Sequence, residues 1–152
     1  MAMVGIGDRM PDVALLKEDG REVRIGDYLG RWLVIYFYPK DGSPGCTREA
    51  CAFRDMHDDF SRAGATVLGV SSDPPESHRR FRGRYSLDFE LLSDPGGAAR
   101  KAFGVPKTLG LIDGRVTYVV DREGVVRHVF RSQVRAARHA RFAADSLAEG
   151  RA

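Results

Sequence analysis

Seven consecutive apolar and aromatic residues, Trp32 to Tyr38, run straight into Pro39-Lys40-Asp41-Gly42-Ser43-Pro44-Gly45-Cys46. A continuous run of this length, closed by proline and glycine, reads as a strand buried on both faces. Such strands belong to α/β sheets, whose ligands gather just beyond the C-terminal strand ends. Ser43 is a good N-cap and Pro44 suits the first helical position, so a helix opens there. Cys46 then falls in its first turn. Free backbone N–H groups and the positive end of the helix dipole both favour a thiolate at that place. Burial opposes ionisation, so a further positive charge is expected beside the sulfur; the residues alone do not say which arginine supplies it. The bland alternative, a small buried hydrophobe, fits poorly beside Pro and Gly after a strand. For Ser43, capping is a sufficient explanation, and a second role can coexist with it.

Cys51 lies five residues on in the same expected helix. At about 100° per residue the two thiols point roughly 140° apart, with about 7.5 Å of rise between them. Their Cα atoms would be about 8–9 Å apart, beyond the roughly 7 Å that a disulfide tolerates. A bond between them requires the first turns of the helix to unwind, and Gly45, Thr47 and Cys51 are only modest helix formers. Core packing remains open as the reason for Cys51.

The rest of the chain alternates strand and helix signals. Val13 to Leu16 and Glu22 to Ile25 flank a Glu-Asp-Gly turn and read as a hairpin. The helix from Pro44 is expected to reach about Gly64. Thr66 to Ser71 is a second buried strand, and Asp73-Pro74-Pro75-Glu76 opens a helix ending near Tyr85. Leu91-Leu92 is a short strand, followed by a short helix through Phe103. Val116 to Val120 and Val125 to Phe130 pair about the turn Asp121-Arg122-Glu123-Gly124. A last helix is expected over 134–148. With no linker, repeat or low-complexity block, residues 1–152 read as one domain. The pattern is that of an α/β, thioredoxin-like fold: a mixed central sheet flanked by helices, with an N-terminal β-hairpin extension.

Bulk properties narrow the function classes. A chain of 152 residues, 43% hydrophobic and 30% charged, is ordinary for a soluble globular domain. Two cysteines do not make a secreted disulfide framework; they suit reactive thiols in a reducing compartment. No signal peptide is visible from Met1 to Asp8, and the longest apolar run is too short to span a bilayer, so a cytoplasmic location is expected. The net charge of +3 carries no general nucleic-acid footprint. Arg131, Arg135, Arg138 and Arg141, preceded by Arg127, would form a stripe on one helix face, which a solvated surface explains without nucleic acid. His57, His78, His128 and His139 show no metal-ligand spacing and read as surface residues. No metal or cofactor is implied, and neither a phosphate-binding glycine pattern nor a serine nucleophile elbow is present.

The stretch from Tyr36 to Asp55 resembles the active-site signature of peroxiredoxins, specifically of the bacterioferritin comigratory protein, or peroxiredoxin Q, subfamily. Pro39, Ser43 and Cys46 match its Pro-x-x-x-Thr/Ser-x-x-Cys, and Cys51, Phe53, Arg54 and Asp55 match the residues that follow. The likeness extends to Gly7-Asp8, Pro11-Asp12, Leu68 to Ser71 with Asp73, Glu76-Ser77-His78 and Leu91 to Pro95. Ser43 replaces the commoner Thr, and residues 107–114 match less well. The resemblance implies a thiol peroxidase of antioxidant defence acting on hydrogen peroxide and organic hydroperoxides. It makes Cys46 the peroxidatic nucleophile and Cys51 the resolving cysteine, paired with it as an intramolecular disulfide. It places Pro39 and Ser43 around the nucleophile and matches Arg115 to the family's arginine. It implies thioredoxin or a similar dithiol as reductant, without nucleic acid or membrane, in a monomer or weak homodimer. Alternatives from other classes are a disulfide reductase, which the C-x-x-x-x-C spacing disfavours, and a redox sensor that exposes apolar surface on oxidation.

Overall fold

Alternation along the buried strand divides the core. In the computed structural model, which describes residues 3–108 and 112–150, Trp32–Phe37 is strand β3. Val34, Tyr36 and the following Tyr38 point into one apolar cluster, while Leu33, Ile35 and Phe37 point into another on the opposite face. β3 pairs in parallel with β4 (Ala65–Ser71) and antiparallel with β8 (Val116–Val120), so its backbone is satisfied on both sides. β4 continues in parallel to β5 (Glu90–Ser93). The hairpin of β1 (Ala14–Leu16) and β2 (Glu22–Arg24) joins antiparallel to β5, and β9 (Val126–Arg131) closes the other edge on β8. The result is a seven-stranded mixed sheet in the order β2-β1-β5-β4-β3-β8-β9.

Helices cover both faces, as the continuous apolar strands require. α1 (Pro44–Asp55), α2 (His57–Ala63) and α5 (Arg138–Gly150) cover the Tyr36 face, and Phe81 of α3 (Pro75–Tyr85) joins the same cluster. Phe103 and Ala99 of α4 (Ala98–Phe103) cover the Phe37 face. β6 (Lys107–Thr108) and β7 (Ile112–Asp113), which the sequence pattern does not signal, form a separate two-stranded ladder. Residues 109–111, within the stretch that departs most from the resemblance, lie outside the described residues.

Three expectations need correction. The helix from Pro44 does not run unbroken to Gly64: it stops at Asp55, and Met56 turns the chain before α2. That break lets Phe60 stack on Phe53, with centroids 5.7 Å apart, instead of following the first helix outward. The last helix starts at Arg138, because residues 132–137 are drawn across the sheet end and bonded there by Arg115 and His139. The arginines therefore form no single stripe. Arg131 ends β9, Arg135 lies in the loop, Arg127 pairs with Asp121, and only Arg138 and Arg141 stand on α5.

Candidate active site

The strand-to-helix junction folds as its residues dictate. Gly42 takes φ +80°, a turn conformation open to glycine, and hands the chain to Ser43 in extended geometry. Ser43 caps α1: its Oγ accepts from the Cys46 N–H at 3.4 Å and donates to the Lys40 carbonyl at 3.1 Å. Pro44 takes the first helical position, where its missing N–H loses nothing. Cys46 is thereby held in the first turn, 1% exposed, with its thiol free. Pro39 is half-buried two residues beyond the end of β3.

Arg115 reaches the same point from the head of β8, the strand beside β3. It opens β8 and is 5% exposed, and its Nε donates to the Gln133 carbonyl at 3.2 Å. Gly114 allows this approach, since any side chain there would collide with the Pro106 carbonyl. Burial works against the arginine's charge, but the Glu49 carboxyl and the Cys46 sulfur, by charge and hydrogen bond, hold it above its usual range. Its Nη2 also lies over Gly45, 3.1 Å from where a Cβ would stand, so a side chain there would press the guanidinium back from the helix start.

Behind Arg115 stands a buried set that sequence reasoning did not pick out. Glu49, one helical turn after Cys46, meets Arg115 Nη1 at 2.5 Å and is sealed from solvent. Burial, which Arg115 only partly offsets, pushes its carboxyl up to about 8. Among the described residues its second oxygen has no hydrogen-bond partner, and it lies 3.6 Å from His139 Nδ1. His139 is pulled down to about 4, chiefly by burial, so at neutral pH it is uncharged. Its Nε2 donates to the Ser132 carbonyl at 2.8 Å, which leaves Nδ1 to accept from the Thr117 hydroxyl at 2.7 Å. The one available hint was Glu49's i+3 spacing from Cys46, which puts both on one helix face.

The expectation that the histidines lie on the surface fails for two of the four. His78 and His139 are both 0% exposed, because each spends both ring nitrogens on internal partners that sequence spacing does not reveal. Asp41, Asp73 and His78 also stand close enough to suggest a metal trio. Their facing atoms are already engaged in bonds with one another and with Tyr38, Ser71 and Ser77, so they read as a hydrogen-bond network.

Cys51 lies in the third turn of α1, half-buried and unbonded. The helix between the cysteines is intact, so the structure holds the separated-thiol arrangement. A hollow of about 720 Å³ between α2 and the start of β5 contains neither cysteine. Cys46 is itself nearly sealed from solvent, with the Arg115 guanidinium hydrogen-bonded to its sulfur.

The sequence profile of the AhpC/TSA family matches residues 6–129. Chloroplastic peroxiredoxin Q from Oryza sativa subsp. japonica is 46% identical over 137 residues, 90% of this chain and 63% of that protein. Chloroplastic peroxiredoxin Q from Sedum lineare is 46% identical over 91% of this chain and 75% of that protein. The chain thus spans under two thirds of most of the plant relatives it matches. Among solved structures, peroxidoxin BcpB from Mycobacterium tuberculosis superposes with a TM-score of 0.90 at 33% identity, covering 98% of this chain and 99% of that one. The bacterioferritin comigratory protein of Xanthomonas campestris, in a structure of alkyl peroxide reduction intermediates, gives 0.83 at 35% identity over 91% of each chain. With its thioredoxin-like fold and its Pro39–Ser43–Cys46 junction, the chain belongs to the AhpC/TSA family of peroxiredoxins, on the bacterioferritin comigratory protein and peroxiredoxin Q side.

Proposed function

We propose that the protein is a thiol-dependent peroxidase in which Cys46 is the nucleophile. The observation that carries this reading is the convergence on one buried sulfur of a helix start and a permanently charged guanidinium, with Ser43 bonded to the cysteine's own N–H. The Cys46 thiolate attacks one peroxide oxygen in line with the O–O bond. The sulfur gains that oxygen and becomes a sulfenic acid, and the other oxygen leaves with the electron pair and takes up a proton. Arg115 and the helix start would face that developing negative charge, the logic of an oxyanion hole, and Ser43 would join them by turning its hydroxyl away from the Lys40 carbonyl. Pro39 shields the sulfur from water.

Cys51 is the proposed resolving thiol. It displaces water from the sulfenic acid, forming the Cys46–Cys51 disulfide once the first turns of α1 unwind. A dithiol reductant of the thioredoxin type then returns both thiols by exchange. Hydrogen peroxide and small organic hydroperoxides are the proposed substrates, and a compartment that keeps thiols reduced, such as the cytoplasm, suits the cycle. We take the working form to be a monomer or weak homodimer.

A thioredoxin-coupled NADPH assay on the parent, Cys46→Ser and Cys51→Ser tests the scheme. One equivalent of hydrogen peroxide should consume two thiols in the parent without making a dimer. Cys46→Ser should be reduced to background, and any substantial residual turnover removes Cys46 from the nucleophile role. Cys51→Ser should still react once with peroxide but cycle slowly; parent-like cycling means Cys51 does not resolve.

A further inference from the structure

The loop that delivers Cys46 is tied down by a second buried network, made from residues outside the chemistry just described. Asp41, its side chain 5% exposed, accepts from the Tyr38 hydroxyl at 2.5 Å on one oxygen. Its other oxygen accepts from Ser77 Oγ at 2.8 Å and faces His78 Nδ1 at 2.7 Å. Its own N–H donates to Asp73 at 2.8 Å, and the same Asp73 oxygen takes the Ser71 hydroxyl at 2.7 Å. His78 Nε2 lies 3.1 Å from the Leu92 carbonyl. One loop carboxylate is thereby bonded to the end of β3 and the first turn of α3, and through His78 to β5.

The partners settle where the protons are. A carbonyl only accepts, so His78 Nε2 carries a hydrogen. The 2.7 Å contact between Nδ1 and Asp41 then needs a second one, since a bare lone pair and a carboxylate oxygen at that distance repel each other in a sealed site. One proton is shared between Asp41 and His78, and the bond it makes is charge-assisted, the strong kind.

We propose that Asp41 and His78 are a positioning pair that clamps the loop ahead of Cys46, setting the balance between the folded helix start that peroxide meets and the unwound start that reaches Cys51. Gly42, at φ +80°, immediately follows the clamped residue, so the clamp fixes the upstream end of the segment that must move. The inference rests on the reading of Cys51 as the resolving thiol. Neither residue touches the sulfur, and their effect runs through the backbone from Asp41 to Cys46.

Rapid-quench alkylation with mass spectrometry separates the two steps. After a peroxide pulse, sulfenic acid formation and disulfide closure are timed in the parent, His78→Leu, Asp41→Asn and His78→Asn. Releasing the clamp should slow sulfenic acid formation by about tenfold or more and speed disulfide closure, with His78→Asn, which keeps one donor to Asp41, recovering part of both. A variant in which the peroxide step is not slowed, or closure is not faster, overturns the proposal; a merely structural defect would move both steps the same way. Parent protein lacking the Cys46–Cys51 disulfide altogether would defeat the resolving role, while a slowed peroxide step would still report on the clamp. Independently of any variant, nuclear magnetic resonance of the parent should find either both His78 nitrogens protonated or the Asp41 carboxyl protonated. Finding neither rules the shared proton out.

Discussion

His139 and His78 are both sealed from solvent, one behind Glu49 and the other behind Asp41, yet they are wired in opposite senses. His139 meets a hydroxyl at Nδ1, so it accepts there and stays neutral. His78 meets a carboxylate at Nδ1 and a carbonyl at Nε2, so donors are demanded on both sides. The consequences diverge. On the Arg115 side, burial pushes Glu49 up and Arg115 pulls it only part of the way back, while Glu49 and Cys46 together hold the guanidinium charged beside the sulfur. On the Asp41 side, charge is spent on holding backbone. A buried histidine is thus assigned by what its nitrogens face, and the two sides of this site divide into one that acts on the sulfur and one that places it.

The sharpest way to break that division is Arg115→Met. It should lower the second-order rate with peroxide by ~10²–10³-fold, the scale for losing one preorganised donor at a developing oxyanion. The fold should persist, because burial without the arginine that pulls it down pushes Glu49 further up and leaves it as the neutral acid. Stopped-flow peroxide kinetics with circular dichroism checks both halves, and a rate within a fewfold of the parent would remove Arg115 from the charge-stabilising role.

Next in size is a pH effect confined to the Arg115 side. Glu49's folded value of about 8 lies above its ordinary 4.5, so its favourable contribution to stability is full below about pH 4.5 and is lost as pH rises through about 8. His139's folded value of about 4 lies below its ordinary 6.5, so its contribution is present above pH 6.5 and is lost as pH falls through about 4. Denaturant unfolding across this range should show stability falling toward both ends. Glu49→Gln should flatten the alkaline limb and leave the acid limb in place. An unchanged alkaline limb in that variant would mean Glu49 is not the group responsible.

Ser43→Ala gives the smallest effect and probes the seam between the two sides, since its Oγ bonds to Cys46 N–H and to Lys40 O. Loss of the cap should destabilise by about 1 kcal/mol. If the hydroxyl also serves the reaction, the peroxide rate falls as well. An unchanged rate would assign Ser43 to capping alone.

Much of the fold was readable because the signals are local. Trp32 to Phe37, the Pro44 helix start and the Asp121–Gly124 turn each carry their instruction within a few residues. The end of α1 was not readable, since its break at Met56 serves a stacking contact between Phe53 and Phe60. The start of α5 was missed for a similar reason: the segment before it is held by Arg115 and His139, and helix periodicity carries no trace of that.

The site divides along the same line. Cys46, Ser43 and Pro39 sit within eight residues of one another, and the geometry of a helix start follows from caps and dipoles that any chain with this spacing would form. Arg115 could be assigned only through resemblance, because 68 residues of chain lie between it and Cys46. Glu49 with His139, and Asp41 with His78, were invisible as pairs. Protonation in a sealed interior depends on which group faces which nitrogen and on how much water is excluded, and both are properties of packing. Sequence by itself determined which sulfur stands at a helix start; tertiary structure decided which charges face it and what holds it in place.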